Sequence, residues 1–570
     1  MPGGLLNLIS YGNQNIILNG NPSKTFFKSV YAKYSNFGLQ NIRIDFNGQK
    51  TLKLNEDSHF SFKIPRNAEL LMDSYLVFNI PDIWSPIMPP TSMYDVWKPY
   101  HFRWIEYLGT NIIKKLTLSI GGLVIQSFSG QYIQNMVERD FDKTKKELFY
   151  KMIGMTNDIH DPSTYNKINQ YPNNFYITSP PGKKNVGPEP AIRGRKIYVP
   201  LHFWFSYSSK MALPLVCLQY SEVTIDITLR PINDLFRIND VSLTKSDGFV
   251  EQGIRPNVNN EKHSFYRFIQ PPPNELLREE DYANKSYLWD TDVHLICKYC
   301  FLSEEEATVF AKNEQNYLIK DVKEDIYPNI VGTKRIKILT NGMASSWMWY
   351  FQRNDINLRN EWSNYTNWPY NNIVPFELVN APDNSEEISV HSTKRETIGP
   401  SVVYDTYVLT STTTSIIKKA TYIRITPDYN MNHEKNILNN AAIIFDGKYR
   451  ENVLDSGIYN YIEKYKMCNG NSDDGLYIYN YCLNTSPYEL QPSGAINLSK
   501  FKTIELEFET HTPPFDASSQ YFVICDSNGA PIGNTKPLTL YEYSYNLHFV
   551  EERYNIVRFL SGQAGLLYSR

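Results

Sequence analysis

Residues 197–230, IYVPLHFWFSYSSKMALPLVCLQYSEVTIDITLR, hold two runs of period-two alternation. Ile197, Val199, Leu201, Phe203 and Phe205 share one face, with Tyr198, His202 and Trp204 on the other. Val223, Ile225, Ile227 and Leu229 then alternate with Thr224, Asp226, Thr228 and Arg230. Successive strand side chains point to opposite faces, so this pattern predicts antiparallel sheet with one face in a core. Neither strand carries a catalytic signature.

The pattern extends outward in both directions. IRIDFNG at 42–48, HFSFKIP at 59–65 and YLVFNIP at 75–81 read as strands, and KLTLSIGGLVIQSF at 115–128 as a hairpin. Its Gly121-Gly122 pair supplies the positive φ angles that a two-residue turn needs. A helical patch is expected at about residues 130–150, and loops at 85–92 and 156–192, which are rich in Pro, Asn and Gly. Residues 231–288 lose the period and contain Pro271-Pro272-Pro273, a stiff spacer, so they read as an inter-domain linker. HLICKYCFLSEEEATVFAKNEQNYLIKDV then reads as a strand entering a helix, with Ser303 and Glu306 as its capping box. Strands recur at 335–340 and 347–352. A long polar stretch, 371–435, precedes the clean strands AAIIFDG, LYIYNYCLN, TIELEFET, QYFVICD and YNIVRFL.

A chain of 570 residues exceeds what one core ordinarily serves, so two or more domains are expected. The two halves share an order of strands, helix, long loop and closing strands. That order suggests a duplicated β-sandwich: an arm at 1–24, a first unit at 25–230, the linker at 231–288 and a second unit at 289–570 with a surface loop at 371–435. With 57 Lys+Arg against 60 Asp+Glu, the net charge of −3 offers no electrostatic reason to grip nucleic acid, and Lys24, Lys28 and Lys33 are too diluted to form a basic arm. No apolar run approaches the ~18 residues of a membrane span. The start MPGGLLNLIS lacks a secretory n-region, and Pro2 stands where myristoylation needs Gly, so a cytosolic compartment is expected.

Candidate chemistry is sparse. Cys297-Lys-Tyr-Cys300 is a CxxC, yet on a strand its two thiols point to opposite faces about 10 Å apart and cannot share a metal. Glu505, Glu507 and Glu509 line one strand face; neighbouring carboxylates ~7 Å apart suit an inverting hydrolase, but three in a row read as a solvated sheet face. The histidines show no HExxH spacing, and neither a phosphate-binding loop nor a G-x-S-x-G elbow occurs. No catalytic, cofactor or metal site is therefore expected. Sequons stand at Asn284, Asn364, Asn484 and Asn497. Asn364, in the NEWSNYTNW loop, is the best glycan candidate, while Asn497 reads as a turn residue. Trp347, Trp349, Trp362 and Trp368 are the one dense tryptophan cluster, and would form the platform of a carbohydrate-binding protein if exposed together.

YVPLHFWF followed by ALPLVCLQYSEV resembles the first jelly roll of the major capsid proteins of nucleocytoplasmic large DNA viruses, the phycodnavirus, iridovirus and mimivirus group. Six further collinear blocks resemble the same family: GGLLNLISYGNQNIILNGNPSKTFFKSVYAKYSNFG, WIEYLGTNIIKKLTLSIGGLVIQSFSGQYIQ, CKYCFLSEEEATVFAKNEQNYLI, the Trp-rich WMWYFQRNDINLRNEWSNYT, YELQPSGAINLSKFKTIELEFET and YNIVRFLSGQAGLLYSR. The helix after Cys300 departs from the family in being Glu-rich where a basic run is usual, and 231–288 and 371–435 are longer than a compact member needs. The resemblance implies an all-β double jelly roll, two eight-stranded antiparallel sandwiches side by side with short helices and long loops. It implies a non-enzymatic virion protein, assembled in the host cytoplasm, whose homotrimers form pseudo-hexagonal capsomers of an icosahedral shell. Its partners would be itself, neighbouring capsomers and minor capsid or cement proteins, with no direct nucleic acid and an internal membrane only indirectly. Loops 156–192 and 371–435 would face outward. A low-copy paralogous capsid or scaffold subunit, or a carbohydrate-binding jelly-roll protein, are the alternatives.

Overall fold

In the computed structural model, the described residues are 3–10, 12–18, 35–48, 50–88, 98–160, 189–239, 253–272, 282–371, 377–380, 394–398, 402–411, 414–418, 422–425, 434–512, 523–525, 531–534 and 543–568. The alternating run at 223–230 becomes strand Val223–Leu229, with every odd residue buried. It lies inside an antiparallel sheet of order Ser58–Ile64, Val223–Leu229, Ile113–Ile120, Leu123–Phe128. Gly121 and Gly122 take φ of 59° and 82°, the mirror-image turn that their sequence predicts.

The opposing sheet runs Phe37–Asp45, His294–Leu302, Leu70–Ile80, with Arg195–Pro200 and the short Leu213–Pro214 also paired to Leu70–Ile80. Phe60, Phe62 and Ile225 from one sheet and Leu76, Phe78, Ile197 and Cys297 from the other share one core. His294–Leu302 departs from expectation, because residue 289 was to open the second unit. The strand is hydrogen-bonded on both edges inside the first sandwich, and the chain passes to the second only through helix Glu304–Lys312. That helix lacks the expected capping box: Ser303 makes no side-chain cap, and Glu306 instead accepts a hydrogen bond from Ser35 Oγ at 2.5 Å.

The expected linker is also part of the first sandwich. Ile232, Leu235, Phe236, Ile238, Phe265 and Phe268 are buried in its core, and Phe236–Ile238 pairs with Phe102–Trp104. These apolar residues are too irregularly spaced to show a period, yet together they form a strap across the barrel. Residues 240–252 and 273–281, with Pro273, lie outside the described residues.

Strand 197–205 is shorter than its alternation predicts. It ends at Pro200; His202 takes a left-handed φ of 44°, and a 3₁₀ turn follows at Trp204–Ser206. His202 and Trp204, expected on an open face, are buried like their neighbours. Both sides of this segment are covered, so alternation does not separate core from solvent here.

The second sandwich opposes a sheet of order Gln315–Ile330, Tyr545–Leu560, Met343–Arg353, Leu476–Asn480 to one of order Thr333–Lys337, Ile504–Thr510, Leu438–Phe445, Lys448–Asp455. Ile496–Asn497 and Gln563–Leu566 add short strands to the first of these. Setting aside the short strands, each sandwich has eight principal strands among the described residues. Met343–Arg353 is buried along its whole length. Trp347, Trp349 and Phe351 fill the second core, while Met348 and Tyr350 on the opposite face join the core of the first. The stretch 371–435, expected as a surface loop, contains five strands between Glu377 and Ile425 that form a small sheet of their own.

Strand directions give the molecule two distinct ends. Met343–Arg353 starts, and Tyr545–Leu560 finishes, at the end where the N-terminal helix Leu5–Ile9 and the β-turn at Gly121–Gly122 sit. The opposite end carries the strap, and the insertion after residue 371 departs there, where Asn367 N bonds Lys435 O. The other insertion leaves after helix Asn157–His160 and returns at Ile192, which is bridged to Ile83 beyond the end of Leu70–Ile80. Most of the expected loop 156–192, from 161 to 188, lies outside the described residues.

Strand Ile504–Thr510 offers a direct test of this division between core and surface. Leu506→Ala deletes a fully buried side chain and is expected to cost ~2–5 kcal/mol. Glu507→Gln on the half-exposed face is expected to change stability by no more than about 0.5 kcal/mol. Guanidinium unfolding midpoints of the two variants check the contrast.

Candidate functional site

Helix Gly130–Asp140 lies in the seam between the sandwiches, and all of its residues are buried. Ser129 caps it through Tyr132 N, and Glu324 of the second sandwich accepts from both Ser129 N and Oγ at 2.7 Å. A Cβ on Gly130 would collide with the carbonyls of Thr110 and Ile113, so only glycine lets the helix start this close to the first barrel. The far end is held by Gly470, whose N–H reaches Arg139 O at 2.9 Å.

A buried ion network closes the seam. Arg139 makes two bonds to Asp140, at 2.9 and 2.6 Å, and one to Glu552 at 2.8 Å. Tyr132 OH and Ser346 Oγ also donate to Glu552, and Thr485 Oγ1 donates to Asp140 at 2.5 Å. Burial alone would raise the Glu552 carboxyl, but the Arg139 guanidinium and Lys320 outweigh it and hold the group below the ordinary range. Around this core Tyr365 OH reaches Asn135, Ser363 Oγ reaches Gln134, and Gln131 reaches Trp362 O, each at 2.8–2.9 Å. The next residue in the strand, Glu551, points the other way and accepts from Trp347 Nε1 at 2.9 Å; burial pushes it up to about 7.

A second clamp joins the strap to the loop after Met343–Arg353. Asn360 Nδ2 donates to the carbonyls of Asn233 and Phe236, Trp362 Nε1 to Asp234 O, and Tyr370 OH to Gly253 O. Arg353 and Arg359 both pair with Asp355, which they drive far below its ordinary value against the opposing effect of burial.

At the other end Leu6 packs against the second core, and Asn497 Nδ2 donates to Asn15 Oδ1 at 3.1 Å. Leu5, Leu8 and Ile9 remain exposed on this short helix. Asn497 also caps the 3₁₀ turn Leu498–Lys500 through Ser499 N, the turn role its sequence suggests.

The other sequence candidates are dispersed. Cys297 sits in the first core, whereas Cys300 packs with Leu70 and Ala212 in a separate cluster, so the CxxC thiols do diverge. Glu505 and Glu507 are half-exposed and flank Arg335 on the adjacent strand, at 2.5 and 3.9 Å, and Glu509 accepts from Asn440. Among the described residues no group of three His, Cys, Asp or Glu side chains converges at metal-binding distance.

Asn364 does not fit the glycan role. It is 4% exposed, its Oδ1 accepts from Thr366 N and Oγ1, and its Nδ2 donates to Trp368 O at 2.8 Å. The sequon residues fold an Asx turn that fixes the loop, leaving no exit for a sugar. Trp347 and Trp349 are core residues, and Arg230 covers Trp362 at 4.0 Å. The four tryptophans therefore form no common platform. Sequence reading missed the seam network because Arg139, Asp140, Ser346, Thr485 and Glu552 come from four distant segments. Its one local signal was the run of three charges Glu551-Glu552-Arg553 in the middle of a strand.

Two jelly rolls bound side by side through a helix-filled polar seam define a double jelly-roll protein. Family models agree with this architecture: the major capsid protein N-terminus matches residues 25–259, and the large eukaryotic DNA virus major capsid protein matches residues 306–565. The chain is 23% identical to the major capsid protein of Phaeocystis pouchetii virus, over the whole of both chains. Its fold resembles the PBCV-1 virus capsid with a TM-score of 0.55 at 19% identity, covering 96% of this chain and 100% of that one. It also resembles the Faustovirus major capsid protein with a TM-score of 0.56 at 12% identity, covering 94% and 93%. The chain belongs to the family of large eukaryotic DNA virus major capsid proteins.

Removing Arg139 tests the seam. Arg139→Met leaves Asp140 and Glu552 uncompensated and is expected to cost about 3–5 kcal/mol. Arg43→Met, which breaks the exposed pairs to Asp45 and Asp292, is expected to cost no more than ~1 kcal/mol. Urea unfolding of the full chain compares them.

Acid provides a second test. His202 packs against Phe141, Phe149 and Tyr207; burial, with help from Lys145, pulls its imidazole down to about 3. The fold holds the neutral ring, whereas an unfolded histidine takes a proton near 6.5. Its contribution to stability is therefore complete above 6.5 and is lost as pH falls toward 3. His202→Gln is expected to flatten the decline in melting temperature between pH 6.5 and 4.5. A decline as steep as that of the parent protein would place acid sensitivity elsewhere.

Proposed function

We propose that this chain is a structural subunit of the icosahedral shell of a large double-stranded DNA virus, acting as a homotrimer with no enzymatic role. The observation that carries the reading is the seam. It makes two similar sandwiches one body, so that three copies offer six comparable barrels, and a threefold assembly acquires a near-hexagonal outline. Assembly in the host cytoplasm, contacts with neighbouring capsomers and with minor or cement proteins, and the absence of a direct grip on nucleic acid or membrane belong to the same proposal. For the domain division, we assign residues through Leu302 to the first jelly roll and those from Gln315 onward to the second.

The segregation of the ends supports an orientation. Both long insertions leave from the end that carries the strap, and the N-terminal helices Leu5–Ile9 and Asn13–Leu18 sit at the opposite end. In the proposed shell the insertions face outward and the arm inward, where exposed Leu5, Leu8 and Ile9 would meet other shell components.

The expected native mass in solution is about three times the 66.3 kDa of the chain, unchanged on dilution to nanomolar subunit. Light scattering coupled to gel filtration measures it. A stable species at 66.3 kDa would sink the trimer.

A further inference from the structure

The two sandwiches repeat one order of elements, and the repeat reaches into the seam. Strands Ile113–Ile120 and Leu123–Phe128 meet at a turn with positive φ at Gly121 and Gly122; Leu438–Phe445 and Lys448–Asp455 meet at one with positive φ at Asp446 and Gly447. Each hairpin then enters a helix through the same wording, Ser129-Gly130-Gln-Tyr132 in the first unit and Ser456-Gly457-Ile-Tyr459 in the second. The other sheets correspond as well. Phe37–Asp45, His294–Leu302, Leu70–Ile80 and Arg195–Pro200 stand in the order of Gln315–Ile330, Tyr545–Leu560, Met343–Arg353 and Leu476–Asn480. Met72 is skipped between the pairs Leu71–Tyr299 and Asp73–Lys298, and Ser345 between Ala344–Arg553 and Ser346–Glu552. This shared irregularity sets Asp73 at the place of Ser346 and Lys298 at that of Glu552.

What differs is the cover. The first helix is wholly buried: Gln131, Gln134 and Asn135 bind the second sandwich, and Arg139 reaches Glu552. Counted from the shared Ser-Gly, helix 456–467 carries Ile458, Tyr461, Ile462 and Lys466 at those four places. Tyr461 and Ile462 are each 55% exposed, and Lys466 is exposed too. The helix runs as a π-helix over Ile458–Ile462, a form that concentrates at functional sites. The corresponding sheet of the first sandwich also keeps an open outer face, with Asp73, Tyr75, Ile296 and Lys298 half-buried and Asn41 exposed beside them. The Asp73 carboxylate makes no hydrogen bond among the described residues; burial raises it to about 6 against the pull of Lys298.

We propose that helix 456–467 of one chain docks on the outer face of the sheet Phe37–Asp45, His294–Leu302, Leu70–Ile80 of the next copy, repeating between chains the seam that Gly130–Asp140 makes within one. Lys466 then brings a cation to Asp73, as Arg139 does to Glu552; the acid has moved to the neighbouring strand. Tyr and Ile in place of the seam's amides suit a contact between separate chains, where buried aromatic and aliphatic surface supplies affinity that no tether assists. Each chain carries one such helix and one such sheet, and a head-to-tail contact of this kind closes into a ring. In a ring of three, seams within chains alternate with seams between them. The inference rests on the homotrimer proposed above and names its contact surfaces.

Light scattering coupled to gel filtration compares the parent chain with Tyr461→Asp/Ile462→Asp, two changes at exposed positions. The variant is expected to lose the trimer and run at 66.3 kDa with the circular dichroism of the parent. A second variant disrupts no contact: Lys466→Cys/Asp73→Cys, treated with a short bismaleimide, is expected to give chains joined in twos and threes on a denaturing gel, and neither single variant is. A trimeric parent whose double-aspartate variant stays trimeric, or whose double-cysteine variant gives no joined chains, overturns the inference and leaves the trimer standing. Joined pairs from Lys466→Cys alone, the mark of helix packed on helix, overturn it as well. A monomeric parent overturns the trimer and this contact together.

Discussion

A guanidinium buried between two β-sandwiches, neutralised by one carboxylate from each side of the seam, is the constraint on which the rest of the structure depends. Arg139 and Asp140 lie at the end of a helix from the first sandwich, and Glu552 lies on a strand of the second. Each charge is costly to bury alone and tolerable only when all are in place. Ser346, Tyr132 and Thr485 then satisfy the remaining oxygens, so the seam accepts one relative placement of the sandwiches. Two sandwiches in contact through apolar faces alone could slide; a network of directed bonds cannot.

That rigidity explains why Met343–Arg353 is buried on both faces. One face serves the second core and the other serves the seam, so the strand works as a wall shared by both units. It also explains the division of labour between the ends. Once the strands of both sandwiches are locked in one direction, every connection must emerge at one end or the other. The arm helices and the tight turn occupy one end; the strap and the insertions leave from the other. A shell subunit with an inner and an outer surface needs such a polarity.

Much of the first sandwich was legible because its strands are wet on one face. Val223–Leu229 and Ser58–Ile64 alternate in burial as their sequences alternate in polarity. Legibility fails where both faces are covered. At 201–205 the polar-looking face carries His202 and Trp204, and it is buried against the seam. At 231–272 the strap's apolar residues are spaced by the surface they cover and follow no period of their own. The pattern of His294–Leu302 predicts a strand and says nothing of its sandwich, because the partners, Phe37–Asp45 and Leu70–Ile80, lie more than two hundred residues away in sequence. Asn364 shows the same limit in a functional motif: the sequon Asn-Tyr-Thr is also a sound Asx-turn sequence, and only its burial decides between them.

By itself the sequence determined the strand-forming pattern, the doubled order of elements, the Gly121-Gly122 turn, the divergence of Cys297 and Cys300 and the family likeness. All of these follow from side-chain periodicity, backbone preferences and collinear wording, which are properties of short segments. Only the tertiary structure decided which sheet each strand joins, that the supposed linker is a strap, that Asn364 is a buried turn residue, and that Arg139 meets Glu552. These depend on contacts between residues hundreds of positions apart, where the energy of burying a charge is set by groups that no local window contains.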